Sequence, residues 1–229
     1  MKKHIFFDLD HTLWDFDRNA EETLLELYEK YELQERGVKS AAQFIEIYTE
    51  NNHRLWAEYH LGKVTKDYLR ENRFKSTFLS LGMNPENIPY EFEDEYVNIS
   101  PTKTKLFEGA VDVLNYLQEK YTLHIISNGF KTTTTTKLQV CDLNKYFKNV
   151  FISEDIGHNK PSPHIFKQAL EVAGAFKEEA IMIGDSLEAD IYGALNFGMD
   201  AIFFNPTQKL VPEDVPLTIT HLKELQEIF

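Results

Sequence analysis

One cysteine, Cys141, stands among 229 residues. Intramolecular disulfides and cysteine-built metal clusters are therefore excluded, and a buried, inert thiol is the expected role. No uninterrupted apolar run approaches the length of a membrane span. Met1-Lys2-Lys3 leads into only four apolar or aromatic residues before Asp8, too few for a signal peptide. The expected setting is cytoplasmic, with no membrane partner. Basic residues are scarce too: 24 Lys and Arg face 37 Asp and Glu, for a net charge of -13. Such a field repels phosphate polymers and anionic lipid. It argues against a nucleic acid polymer as partner and requires a local cation for any small anionic substrate. The eight histidines form no tight ligand cluster; His53 and His60 read as a solvated helix face. Low complexity is confined to the threonines at 132–136, poor helix formers read as a helix start capped by Thr132 or Thr133.

What the chain does have is apolar material, 42% of its residues. That is enough to bury a sizeable core, as one large domain or one domain with an insert, and a monomer or weak homodimer is expected. His4-Ile5-Phe6-Phe7 reads as a strand. From about 15 to 100 only helical patterns follow. Asp17 can cap a helix over about 18–31 with Leu24, Leu27 and Tyr28 on its apolar stripe, Ser40 precedes a second helix, and Thr65 starts a third closed by Gly82. An acidic fourth follows Pro85 and Pro89. Beyond Pro101 strands and helices alternate, with strands at 122–127, 149–152, 180–184 and 201–204 and helices at about 109–121 and 187–197 among others. Alternation of this kind means a parallel sheet with right-handed crossovers. The expected fold is α/β, a Rossmann-like three-layer core made of residues 1–14 and 101–229, interrupted by an all-helical insert at 15–100.

Ligands of an open α/β sheet bind outside the carboxyl ends of its strands, and the polar residues of this chain collect there. Asp8 and Asp10 follow the first strand, with Thr12 two further on. Ser127-Asn128-Gly129 follows the second, and Gly184-Asp185 follows the fourth, with Asp190 about one helical turn beyond. Lys160 precedes Pro161 and the Ser162-Pro163 helix start. Each has a bland counterpart: carboxylates that only make turns, a plain Asn-Gly turn, Asp185 as a helix cap, a solvated loop lysine. Their coincidence on one sheet edge favours a site. Carboxylates about 4 Å apart repel by roughly 4 kcal/mol at an effective dielectric near 20, and Lys160 alone cannot balance Asp8, Asp10, Asp185 and Asp190. A divalent cation could, and all-oxygen donors with room for water favour Mg²⁺ over zinc or copper. A phosphate there would meet the metal, Lys160, the Ser127 hydroxyl and backbone N–H groups.

Asp8-Leu9-Asp10-His11-Thr12, Ser127, Lys160 before Pro161, and Gly184-Asp185 with Asp190 resemble the four ordered motifs of the haloacid dehalogenase-like superfamily. The likeness spans nearly the whole chain. The helical insert is similar to that superfamily's small cap, which closes over the substrate. Ile126-Ser127-Asn128-Gly129-Phe130 and the segment Phe151-Ile152-Ser153-Glu154-Asp155-Ile156-Gly157 resemble, more narrowly, bacterial pyrimidine 5′-nucleotidases.

The resemblance implies a Mg²⁺-dependent phosphatase of small phosphorylated substrates, working through an aspartyl-phosphate. Asp8 would be the nucleophile and Asp10 the general acid and base. The metal would be held by Asp8, the Asp10 carbonyl and Asp185, with Asp190 orienting its waters or Lys160. Ser127, the Asn128 N–H at the Asn128-Gly129 turn, and Lys160 would bind phosphoryl oxygens, with Thr12 fixing the loop. Trp14, Phe16, Trp56 and Tyr59 are candidates for a base pocket, against the commoner placing of such aromatics in a core. The competing readings are a sugar-phosphate phosphatase or phosphomutase, carbon–halogen hydrolysis, which the intact Asp10 argues against, and a phosphate-binding protein without turnover.

Overall fold

Short runs rich in Ile and Phe pair as the strands of one sheet. The computed structural model describes all residues, Met1–Phe229, in two compact units: Met1–Phe16 with Thr104–Phe229, and Asp17–Lys103. The divisions fall two and three residues beyond the boundaries expected from the change of pattern.

In the first unit β1 (His4–Phe7), β2 (Thr122–Ser127), β3 (Phe147–Ile152), β4 (Ala180–Gly184), β5 (Asp200–Phe204) and β6 (Thr218–Ile219) form a sheet in the order β3-β2-β1-β4-β5-β6. Every pairing is parallel. Phe7 lies level with Ile125 on one side and Ile183 on the other, so the carboxyl ends of β1, β2 and β4 open on one edge at nearly one height. Alternate residues feed two cores, as period-two geometry requires. Ile5, Phe7, Leu123, Ile125, Ile183 and Ile202 join Val113, Leu114 and Leu117 of the first unit's opening helix (Ala110–Gln118). Phe6, Met182, Ala201 and Phe203 join Ile165, Phe166, Ala169 and Leu170 of the helix Pro163–Ala173. The result is three layers, with the sheet between two sets of helices. No helix is long and apolar enough to cross a membrane.

The second unit has four helices: most of Phe16–Lys30, then Ala41–His60, Lys66–Ser80 and Phe92–Ile99. Ser40 and Thr65 cap the second and third by accepting bonds from the Gln43 and Tyr68 N–H groups. Asp17 is no cap, because its helix begins at Phe16; it sits in the first turn, where its charge complements the helix dipole. Phe44, Phe74, Phe78 and Phe92 form an aromatic core, and the buried Arg73 pairs with Glu93 at 2.7 Å.

Two local expectations need correction. The threonine run does not start its helix, which spans Lys131–Val140 with Phe130 at the cap position. Thr133 Oγ1 donates to the Phe130 carbonyl and Thr136 Oγ1 to the Thr132 carbonyl, both at 2.9 Å, so these two hydroxyls are satisfied inside the helix. Cys141, expected to be buried, is partly exposed; the loss of water around it still pushes its thiol pKa up, opposed by Lys137, which keeps it protonated and unreactive.

Candidate active site

The chain leaves β1 with Asp8, whose N–H still bonds the Ile183 carbonyl at 2.9 Å. It then folds sharply back. The N–H groups of Leu13 and Trp14 both donate to the Leu9 carbonyl at 2.9 Å, and His11 takes a left-handed φ of 62°. The turn leaves Asp8 buried and Asp10 partly exposed.

Lys160 is not the solvated loop lysine of the bland reading. It is 2% exposed, and its Nζ lies 2.6 Å from Asp8 Oδ1, 2.7 Å from Asp190 Oδ1 and 2.7 Å from the Ile126 carbonyl. Asn128 fixes it from behind: its side-chain oxygen accepts the Lys160 N–H at 2.8 Å and its side-chain nitrogen donates to the Lys160 carbonyl at 3.0 Å. The Asn128 side chain is thus committed to the lysine, which leaves its backbone as the part able to face a ligand.

Asp185 is no helix cap either. That place belongs to Ser186, whose hydroxyl accepts the Ala189 N–H at 3.1 Å. The α-helix expected over 187–197 is a π-helix over Leu187–Tyr192 followed by an α-helix over Gly193–Phe197. The Ser186 carbonyl accepts from both Asp190 and Ile191, at 3.0 and 3.1 Å; the second bond widens the turn, a departure from α geometry that recurs at functional sites. Asp190, in that turn, accepts the Ser186 N–H through Oδ2 at 3.1 Å and meets Lys160 through Oδ1. Gly184 is required for this approach, since a Cβ there would fall 2.2 Å from Asp190 Oδ2.

Oxygens of Asp8, Asp185 and Asp190 gather within 4.8 Å of one another. Loss of water, helped by Asp190 and Asp10 and opposed by Lys160, raises the Asp8 pKa to about 7. Asp185 is pushed well above the usual carboxylate range, by loss of water first and then by Asp8 and Asp190. Burial works against the charge of Lys160, but Asp190 and Asp8 outweigh it and raise its pKa. One ammonium among three carboxylates leaves negative charge uncompensated. An all-oxygen donor set of this kind suits Mg²⁺.

Thr12 borders this cluster, and Ser127 and Gly129 lie beside Asp10. Thr12 is fully buried and donates to Asp185 Oδ1 at 3.3 Å, so its hydroxyl steadies that carboxylate. Ser127 Oγ accepts the Gly129 N–H at 3.0 Å, which leaves the serine proton available to donate outward. A Cβ on Gly129 would lie 2.7 Å from Thr134 Oγ1, 3.1 Å from Ser127 Oγ and 3.4 Å from Asp10 Oδ2, so any larger residue crowds the site. Of the pocket aromatics, Trp14 is buried in the core, while Trp56 and Tyr59 pair edge to face, centroids 5.5 Å apart, within the helical unit. One residue was missed. Lys137 is buried and its Nζ lies 2.5 Å from Asp10 Oδ1. Its signal was a lysine three residues after Thr134 and next to Leu138 on a buried helix face, which the threonine run obscured.

The chain is 35% identical over 206 residues to the pyrimidine 5′-nucleotidase PynA of Streptococcus pneumoniae, covering 89% of this chain and 84% of the relative. It is 31% identical over 227 residues to the pyrimidine 5′-nucleotidase YjjG of Escherichia coli, covering 98% and 96%. Among solved structures it is similar to the HAD-hydrolase YfnB of Bacillus subtilis, described as bound to magnesium, with a TM-score of 0.88, 29% identity and coverage of 99% and 98%. The model of the haloacid dehalogenase-like hydrolases matches residues 2–198, and the chain belongs to that family.

Proposed function

We propose that the chain is a Mg²⁺-dependent phosphatase of nucleoside 5′-monophosphates, pyrimidine nucleotides first, acting in the cytoplasm through an aspartyl-phosphate. The observation that carries this reading is the unlike surroundings of two carboxylates two residues apart. Asp8 is buried against Lys160 and shares its cluster with Asp185 and Asp190, whereas the Asp10 carboxylate lies outside that cluster and is partly exposed. Environments that differ in this way assign different roles to chemically identical groups.

In the proposed reaction an Asp8 oxygen attacks phosphorus, and the bond from phosphorus to the ester oxygen breaks as Asp10 gives that oxygen a proton. Water then attacks the phosphorus of the aspartyl-phosphate, passing a proton to Asp10 while the bond to Asp8 breaks, and inorganic phosphate leaves. Covalent catalysis of this kind replaces one hard step with two easier ones. Lys160, the Ser127 hydroxyl and the Asn128 N–H would hold the phosphoryl oxygens as charge spreads over them. A Mg²⁺ ion held by Asp8, Asp185 and the Asp10 carbonyl, with Asp190 beside it, would supply charge neutralisation. The Asn128 side chain and Thr12 would act at one remove, by fixing Lys160 and Asp185.

The nucleotide assignment rests on the likeness to the two nucleotidases, and one panel tests it. Full-length protein with Mg²⁺ should show a higher kcat/KM for dUMP or dTMP than for glucose 6-phosphate or β-glucose 1-phosphate. A tenfold preference for hexose phosphates, about 1.4 kcal/mol of transition-state discrimination, overturns the substrate. No phosphate release from any ester overturns the phosphatase.

A further inference from the structure

Lys137 has no assigned part in this chemistry, yet its placement is costly for a residue that merely fills space. It is 5% exposed. Its Nζ sits 2.5 Å from Asp10 Oδ1, 4.0 Å from the centroid of the fully buried Trp14 ring and 5.5 Å from that of Phe16. Taking an ammonium out of water costs several kcal/mol; the carboxylate and the indole face, which attracts cations, offset it. Packing alone would be met by methionine. Asp10 Oδ1 is thereby engaged, while Oδ2 points to the side where Gly129 has no side chain and Ser127 Oγ lies.

We infer that Lys137 is the positioning residue for Asp10: braced on Trp14, it holds one carboxylate oxygen so that the other is fixed toward the ester oxygen of the substrate. This rests on the proposed phosphatase reading. A proton donor held off line by 1 Å can cost on the order of a hundredfold in rate, and in the first step, the one that kcat/KM reports, that loss falls only on esters whose leaving group needs the proton. An alkoxide leaving group needs it; 4-nitrophenolate, a weak base, barely does.

The test compares kcat/KM for dUMP with kcat/KM for 4-nitrophenyl phosphate. Lys137→Met should lose roughly thirtyfold or more on dUMP and about threefold or less on the aryl ester, with Lys137→Arg restoring most of the dUMP activity. In an Asp10→Asn background, Lys137→Met should add less than about twofold, because both changes remove one function. Lys137→Gln, uncharged but polar, serves for the same comparison if the methionine variant misfolds. Equal losses on both esters, or losses that multiply with those of Asp10→Asn, overturn the inference while leaving the phosphatase intact. Unchanged dUMP turnover in Asp10→Asn itself overturns the acid–base reading beneath it.

Discussion

Replacing Lys160 by methionine should destabilise the metal-free protein strongly, and more so as the pH rises. The lysine is buried between Asp8 and Asp190 at 2.6 and 2.7 Å. At an effective dielectric near 20 each contact is worth about 6 kcal/mol of attraction, most of which desolvation consumes. Removing the cation leaves two buried carboxylates facing each other, and breaking a buried pair in this way costs about 3–5 kcal/mol. For a chain of this size that corresponds to roughly 6–20 °C in Tm. The pH dependence follows from Asp8, whose pKa is raised in the fold from 3.8 to about 7. A carboxylate shifted upward favours the folded state below its unfolded pKa, and that contribution is lost as pH climbs through the folded value. The contribution of Asp8 to the stability of the apoprotein should therefore be lost between about pH 4 and pH 7. The gap to Lys160→Met should be wider at pH 8, with Asp8 ionised, than at pH 5, with Asp8 protonated. Chelator-treated samples melted by circular dichroism at both pH values give the answer. A loss below about 1 kcal/mol at pH 8, or a wider gap at pH 5, refutes the argument.

Chelation should abolish phosphate release and Mg²⁺ restore it, whereas Ca²⁺, larger and loosely coordinated, should restore little; full activity in metal-free buffer would contradict the donor set. Mg²⁺ should also raise the Tm of the apoprotein more at pH 8 than at pH 5, because at pH 5 protons occupy the carboxylates it needs. His124, buried on β2 against Phe6 and Phe151, has its pKa pushed down to about 4 by burial, then by His4 and Lys148. Its contribution to stability is complete above pH 6.5 and falls by about 3 kcal/mol as pH drops toward 4. His124→Phe should flatten that part of the stability profile, and an unchanged acid limb would show that other groups govern it.

Much of the fold was legible because it rests on local physics. Ser40 and Thr65 announce helix starts through hydroxyls that cap backbone N–H groups, and the apolar strands announce a sheet buried on both faces. The cluster of polar residues at strand ends was legible too, since a parallel sheet brings those ends to one edge. What escaped depends on tertiary partners. The π-helix over Leu187–Tyr192 depends on the Ser186 carbonyl taking a second bond, which no propensity encodes. Lys137 is a buried ammonium only because Asp10 and Trp14, more than a hundred residues earlier in the chain, meet it there. The threonine helix persists against its propensity with one face, Thr134, Lys137 and Leu138, buried against the rest of the fold.

The central claim is that Asp8 forms a covalent bond to phosphorus, and trapping tests it most directly. Protein turning over dUMP with Mg²⁺ would be quenched in acid, treated with borohydride, which reduces an acyl phosphate to an alcohol, and mapped by peptide mass spectrometry. The expected result is homoserine at position 8 in the wild type, substrate-dependent, and no such product in Asp8→Asn, which should also lack turnover. Rapid turnover with an unmodified Asp8, or phosphorylation of another residue, would contradict the account.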